Sequence, residues 1–383
     1  MGEPVKVPLV GLNEQNKPLA VELRDAFERV LDSSQFILGP EVIEFESLAA
    51  ESIGARHAIG TSSGTDALLL SLMTLGIGPG DEVLCPSFTF FATAGAIARI
   101  GAIPVFVDSI DTDFNIDLGD AERRITGKTK AIIPVHLFGQ AADMDGAQRL
   151  AKAHGLAVLE DAAQSMGATF DGQQVGTMGD LSAFSFFPSK NLGGFGDGGM
   201  ITTDHDDLAK RARILRVHGG APQYYHKAIG GNFRMDPLHA ALLGVKLGHL
   251  PGYFAGRRAN ACSISSAWPS SITLPRADWC CQLKSKAATT LGTNSPSAWP
   301  TANVNAAEHL PQQHRPAIYY PVRYISRNAS HTCPISASHC RSVKKWRGSV
   351  EYPGIPGTDG GANLSRCRHA GQCPALIAIV TCR

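Results

Sequence analysis

Residues 144–165 read MDGAQRLAKAHGLAVLEDAAQS. Ala147, Leu150 and Ala151 recur at helical spacing, and Gly155 stands where a helix ends in the left-handed C′ conformation. LAVLED (156–161) follows at once, a short apolar run of the kind that forms a strand buried on both faces. Asp161 closes that run and should point from the sheet edge into a crevice. The same alternation extends outward. EVLCP (82–86), IPVFVD (103–108), KAIIPVHLF (130–138) and LSAFSF (181–186) read as strands, and GTDALLLSLMTLG (64–76) and FFATAGAIARIG (90–101) as helices. The pattern predicts an α/β chain with a mainly parallel sheet sandwiched by helices, whose ligands gather at the carboxyl ends of the strands.

Composition sets outer bounds. The chain has 383 residues and a net charge of +1, enough for a large core and with no charge bias toward nucleic acid or membrane. No apolar run is long enough to span a bilayer, and MGEPVKVPLV at the N-terminus lacks the apolar centre of a signal peptide, so a cytoplasmic location is expected. The text changes near residue 261. Residues 1–261 hold 30 acidic and 22 basic residues and one cysteine, whereas 262–383 hold 4 acidic, 13 basic, eight cysteines and all four tryptophans.

Three motifs fall at predicted strand ends. In EDAAQS (160–165), Asp161 is either a helix N-cap or a carboxylate held for a cationic partner such as a protonated ring nitrogen. SSGTDALLL (62–70) opens a helix whose first N–H groups form an anion site, with Ser63 or Thr65 as the cap. SFFPSKNLGGFGDGGM (185–200) sets Lys190 among five glycines. Gly194, Gly196 and Gly199 spell G-x-G-x-x-G, but MITT follows as a strand where a dinucleotide fingerprint needs a helix. Glycines around a lysine instead let backbone pass close to a planar ligand while leaving the amine clear. A phosphate site, a strand-end carboxylate and a glycine-lined lysine together suit pyridoxal phosphate: the amine bonds the aldehyde, the helix N-terminus holds the phosphate, and the carboxylate keeps the pyridine nitrogen protonated. Phe88 and Phe90 in SFTFF (87–91) are candidates for an aromatic face over the ring, or ordinary core.

These stretches, with QFILGPEVIEFE (35–46), AIIPVHLFGQAADM (131–144) and GGNFRMDPLHAALL (230–243), resemble the DegT/DnrJ/EryC1/StrS sugar aminotransferases over about the first 258 residues. The resemblance implies a fold-type I pyridoxal-phosphate enzyme with an N-terminal arm (1–17), a large cofactor-binding domain (18–250) and a smaller α+β C-terminal domain (251–383). It implies that Lys190 is the Schiff-base lysine and catalytic base, that Asp161 pairs with the ring nitrogen, and that Gln164 approaches the ring oxygen. Gly64, Thr65 and Ser185 would hold the phosphate, and Phe90, ahead of Phe88, would stack on the ring. An asparagine at the position of Asn232 reaches the neighbouring subunit's cofactor in the family, so a homodimer with shared sites is implied. His218 and Arg234 lie in matching segments without an assigned role. Relatives with histidine in place of the lysine dehydrate, so Lys190 argues for transamination. The implied partners are a nucleotide-linked keto sugar and glutamate as amino donor.

The tail departs from that family. Only IYYPV (318–322) resembles its small domain, and the eight tail cysteines contain no C-x-x-C pair, which argues against a zinc module. A disulfide framework is not expected in a cytoplasmic chain. The tail reads instead as text in a shifted frame. With silent positions chosen freely, codons for EYPGIPGTDGG (351–361) read one nucleotide later encode Ser-Ile-Pro-Val-Phe-Pro-Glu-Leu-Thr-Glu, similar to the family's closing segment. The small domain is therefore expected to be disrupted from residue 262.

Overall fold

The structure, a computed structural model, describes residues 11–220 and 225–267, with isolated two-residue strands at 288–289, 296–297, 317–318 and 378–379. Residues 1–10 of the expected arm, and the expected small domain beyond 267 apart from those strands, lie outside the described residues; so do 319–322 of IYYPV and the shifted-frame segment.

The elements run α1 (Leu12–Asn16), α2 (Ala20–Ser33), α3 (Pro40–Ile53), β1 (His57–Thr61), α4 (Gly64–Leu75), β2 (Glu82–Pro86), α5 (Phe91–Arg99), β3 (Ile103–Val107), α6 (Leu118–Arg124) and β4 (Thr129–Ile132). Then come α7 (Met144–His154), β5 (Ala157–Asp161), a small hairpin β6 (Thr169–Phe170) and β7 (Gln173–Gln174), β8 (Leu181–Ser185), β9 (Gly199–Thr203), α8 (Asp206–Leu215) and α9 (Pro237–Ala267). Seven strands form one sheet in the order β1-β9-β8-β5-β4-β2-β3. The pairs β2–β3, β2–β4, β4–β5 and β5–β8 are parallel, and β9 alone runs against its neighbours β1 and β8.

The apolar runs are explained by burial on both faces. Along β2, Leu84 enters one core cluster while Val83 and Cys85 enter the other, and in β5 Val158 and Leu159 divide the same way. Each such side chain contributes about 1.5–3 kcal/mol when removed from water. Helix α7 shows how local signals agree with packing. The Asp143 carboxylate accepts the Gly146 N–H, Met144, Ala147, Leu150 and Ala151 turn inward, and Gly155 caps the end at φ +67°.

Two sequence expectations are corrected. The run KAIIPVHLF is not one strand: β4 ends at Ile132, because Pro134 has no N–H to continue the ladder. The Pro134 carbonyl still accepts the Asp161 N–H at 2.9 Å, and the chain then turns through Leu137–Gly139, with Phe138 at φ +56°. The helices read as 64–76 and 90–101 end earlier, at Leu75 and Arg99. MITT is a strand, as read, so the G-x-G-x-x-G opens no helix.

Helix α9 is 31 residues long and passes through Pro251, so the domain division placed at 250/251 falls inside it. Arg216, buried after α8, donates to Glu46 of α3 and to the Gly60 carbonyl of β1, tying three elements at the sheet edge.

Candidate active site

Asp161 ends β5 and is 5% exposed. No helix follows it, so the N-cap alternative falls. Its Oδ1 accepts the Ala163 N–H at 3.3 Å, and its Oδ2 accepts the Thr93 hydroxyl at 2.7 Å. Burial pushes the carboxyl up, opposed by the Thr93 and Ala163 hydrogen bonds and by the charge of Lys190.

Lys190 follows β8 in a tight turn, its N–H donating to the Phe187 carbonyl at 2.8 Å. Part of the side chain meets solvent, but desolvation pushes the amine below the usual lysine range, with Asp161 pulling it back up. The amine and the carboxylate therefore influence each other electrostatically.

Beside them lies the N-terminus of α4. Ser63, rather than Thr65, is the cap: its Oγ accepts the Asp66 N–H at 3.0 Å. Gly64 is needed by contact, since a Cβ there would stand 2.6 Å from the Ser185 Cβ. Gly199 is needed likewise, because its Cβ would stand 2.4 Å from the Ser63 carbonyl. These close approaches bring the helix terminus, Ser185 and the start of β9 together, and Thr65 is exposed on the first turn. First-turn N–H groups have no intrahelical acceptor, so this junction presents donors and a hydroxyl to an anion. The donor set, the lysine and the buried carboxylate fit pyridoxal phosphate chemically.

Gln164 is anchored by its Oε1, which accepts the Phe138 N–H at 2.7 Å and so directs the amide NH2 the other way. Of the two candidate rings, Phe88 is 6% exposed and packs with Val135, Leu137 and Phe138 in a small core cluster. Phe90 is 57% exposed at the N-cap of α5. Asn232 is exposed, its backbone bridged to Val217, two residues from Arg234, which bridges Thr61 at the end of β1. His218 is in the left-handed region at φ +63° and its carbonyl contacts the His226 ring.

Sequence reasoning missed three neighbours of this site. Glu160, fully buried beside Asp161, accepts N–H groups of Gly176, Met178 and Gly179, the Ser182 hydroxyl, and His136 Nε2 at 3.0 Å. His136 Nδ1 accepts the Ala142 N–H, so the ring proton sits on Nε2. Burial pushes the Glu160 carboxyl up, but the His136 and backbone hydrogen bonds outweigh it and hold it below the usual range. Thr93 was hidden as an unremarkable polar residue within FFATAGAI; the i, i+4 pairing of Thr89 and Thr93 was the available signal.

The third neighbour explains the glycines after Lys190. Lys246 of α9 is 1% exposed, donates to the Gly193 carbonyl, and lies 5.3 Å from the centre of the Phe195 ring. A Cβ on Gly194 would stand 2.0 Å from His239 Nε2, also of α9. The glycines thus admit the close approach of α9.

Burial, with help from the Arg257 charge, lowers the Lys246 amine to about 8. Below that pH both folded and unfolded chains carry the proton. Between about 8 and the ordinary lysine value of 10.5 the folded chain has lost it and the unfolded chain has not, so this group makes stability rise with pH there. Comparing unfolding midpoints of wild type and Lys246→Met from pH 7 to 10.5 should show a flatter rise in the variant; parallel curves would contradict this.

The mainly parallel seven-stranded sheet with its single reversed strand, covered by helices, is the large-domain layout of a fold-type I aminotransferase. The DegT/DnrJ/EryC1/StrS aminotransferase family profile matches residues 18–269. A pleiotropic regulatory protein of Geobacillus stearothermophilus is 50% identical, over 68% of this chain and 70% of its own length. A UDP-N-acetyl-3-dehydro-alpha-D-glucosamine 3-aminotransferase of Acidithiobacillus ferrooxidans is 47% identical, over 68% and 71%. The structure of NtdA from Bacillus subtilis with bound cofactor PMP superposes with a TM-score of 0.76 at 30% identity, covering 85% of this chain and 75% of that one. The chain belongs to the DegT/DnrJ/EryC1/StrS aminotransferase family. The match stops at residue 269, and the remaining text departs from the family as read.

Proposed function

We propose that the chain moves an amino group from glutamate to a keto sugar carried on a nucleotide, with pyridoxal 5′-phosphate as cofactor, in the cytoplasm and as a homodimer. This reading is supported by the position of buried Asp161 at the end of β5, where its carboxylate and the desolvated Lys190 amine after β8 act electrostatically on each other. The sugar-nucleotide substrate rests on the aminotransferase of Acidithiobacillus ferrooxidans, which is so named. When bound, the cofactor supplies an electron-accepting ring for the carbon that loses its proton.

The chain's own residues do the rest. Gly64, Thr65 and Ser185 bind the phosphate at the α4 N-terminus. Asp161, ionised, holds a proton at the ring nitrogen, and Gln164 donates its amide NH2 to the ring oxygen. Phe90 covers a ring face and Asn232 extends toward a second subunit. Lys190 would hold the cofactor covalently through its Nζ, and the same Nζ would accept and return the proton. Its lowered basicity places the amine nearer the working pH, where a base both accepts and returns a proton.

A second reading is favoured by the departure of the tail after residue 269: a folded large domain that binds cofactor and does not turn over. Near-visible absorbance separates the two. Purified chain given pyridoxal phosphate should gain a band that changes with glutamate. A band indifferent to glutamate supports the second reading, and a colourless chain overturns the cofactor assignment.

A further inference from the structure

Asp161 has to remain ionised in a place where burial works against its charge. Its Oδ2 accepts from the hydroxyl of Thr93, a residue of α5 that is fully buried. A threonine hydroxyl has one proton, and here it is committed to the carboxylate. The Thr89 hydroxyl, 5% exposed and 3.0 Å away, must then be the donor in the Thr89–Thr93 contact. The order is fixed by counting protons: Thr89 to Thr93 to Asp161.

We infer that Thr89 and Thr93 form a directed hydroxyl relay that positions Asp161 and holds it as a carboxylate for the ring nitrogen. The function of the relay rests on the cofactor reading above, whereas its effect on Asp161 does not. Hydroxyls aligned in series polarise one another, so the terminal bond is stronger than an isolated one. The other hydrogen bond to the carboxylate comes from the Ala163 N–H, and the Lys190 charge acts on it, so no other side-chain hydroxyl replaces Thr93 among the described residues. The relay also has a mechanical side. Thr89 and Thr93 flank Phe90, the exposed N-cap of α5, so one helix start sets both the carboxylate and the proposed stacking ring.

The test titrates Asp161 in the cofactor-free full chain by carboxyl 13C NMR. Thr93→Val removes the hydroxyl at nearly constant shape and should raise the Asp161 titration by about one pH unit, the worth of one hydrogen bond to a charged group. Thr93→Ser should restore it. Thr89→Val should shift it less, and the double variant no more than Thr93→Val alone. With 15N-labelled pyridoxal phosphate, Thr93→Val should also lower the protonated fraction of the ring nitrogen and weaken binding several-fold. An unchanged Asp161 titration in Thr93→Val, or a double variant that adds the two single shifts in full, overturns the relay. A chain in which the titration shifts but no cofactor binds upholds the relay on Asp161 and overturns the functional reading instead.

Discussion

Lys190→Ala should lose amino transfer by at least about a thousandfold, the scale set by removing a positioned general base, and more if the covalent hold on the cofactor counts as well. The expectation rests on the Lys190 environment. Its backbone N–H is held by Phe187, its amine is desolvated, and the facing charge is Asp161. The variant removes a partly exposed side chain that makes no ion pair among the described residues, so the fold should persist. Pre-steady-state mixing with glutamate is the measurement, with the unfolding midpoint as control. Retention of even a tenth of wild-type turnover by the variant would mean that Lys190 is not the base. A methylamine rescue would separate loss of the proton carrier from loss of cofactor.

Glu160→Ala should have the largest effect on stability, about 3–5 kcal/mol. Five donors converge on this carboxylate, from the backbone at 176, 178 and 179, from Ser182 and from His136. Truncation leaves them buried without an acceptor. Since a domain is stable by only about 5–15 kcal/mol, the variant should unfold at markedly lower urea or lose solubility. Glu160→Gln gives a milder case, because an amide NH2 would face donors where an oxygen stood. A urea midpoint for Glu160→Gln equal to wild type would show that the convergence is not holding the 175–180 loop.

The sheet was legible because burial on both faces writes uninterrupted apolar runs. EVLCP is a strand over its full length, and LAVLED lost only its first residue and IPVFVD only its last. KAIIPVHLF misled because apolar continuity cannot register that Pro134 lacks an N–H. Asp161, Gly64 and Ser185 were legible as neighbours because each ends or opens an element at one end of the sheet, and Lys190 follows in the turn after β8. Thr93, Glu160 and Lys246 could not. Their significance lies in partners 68, 24 and 53 residues away, and no local period encodes such pairings. The two predicted chemistries at EDAAQS differed only in whether a helix followed, which the turns after Asp161 decide.

Helix α9 carries a consequence for how damage would spread. From Lys246 to Ala267 it is a rod of roughly 30 Å, at about 1.5 Å per residue, with one end seated under the loop of Lys190. His239 and Lys246, the two residues that meet the glycines, both precede residue 261. A reading-frame error after that codon therefore rewrites the far end of a lever whose fulcrum is already fixed, and the loop keeps its seat.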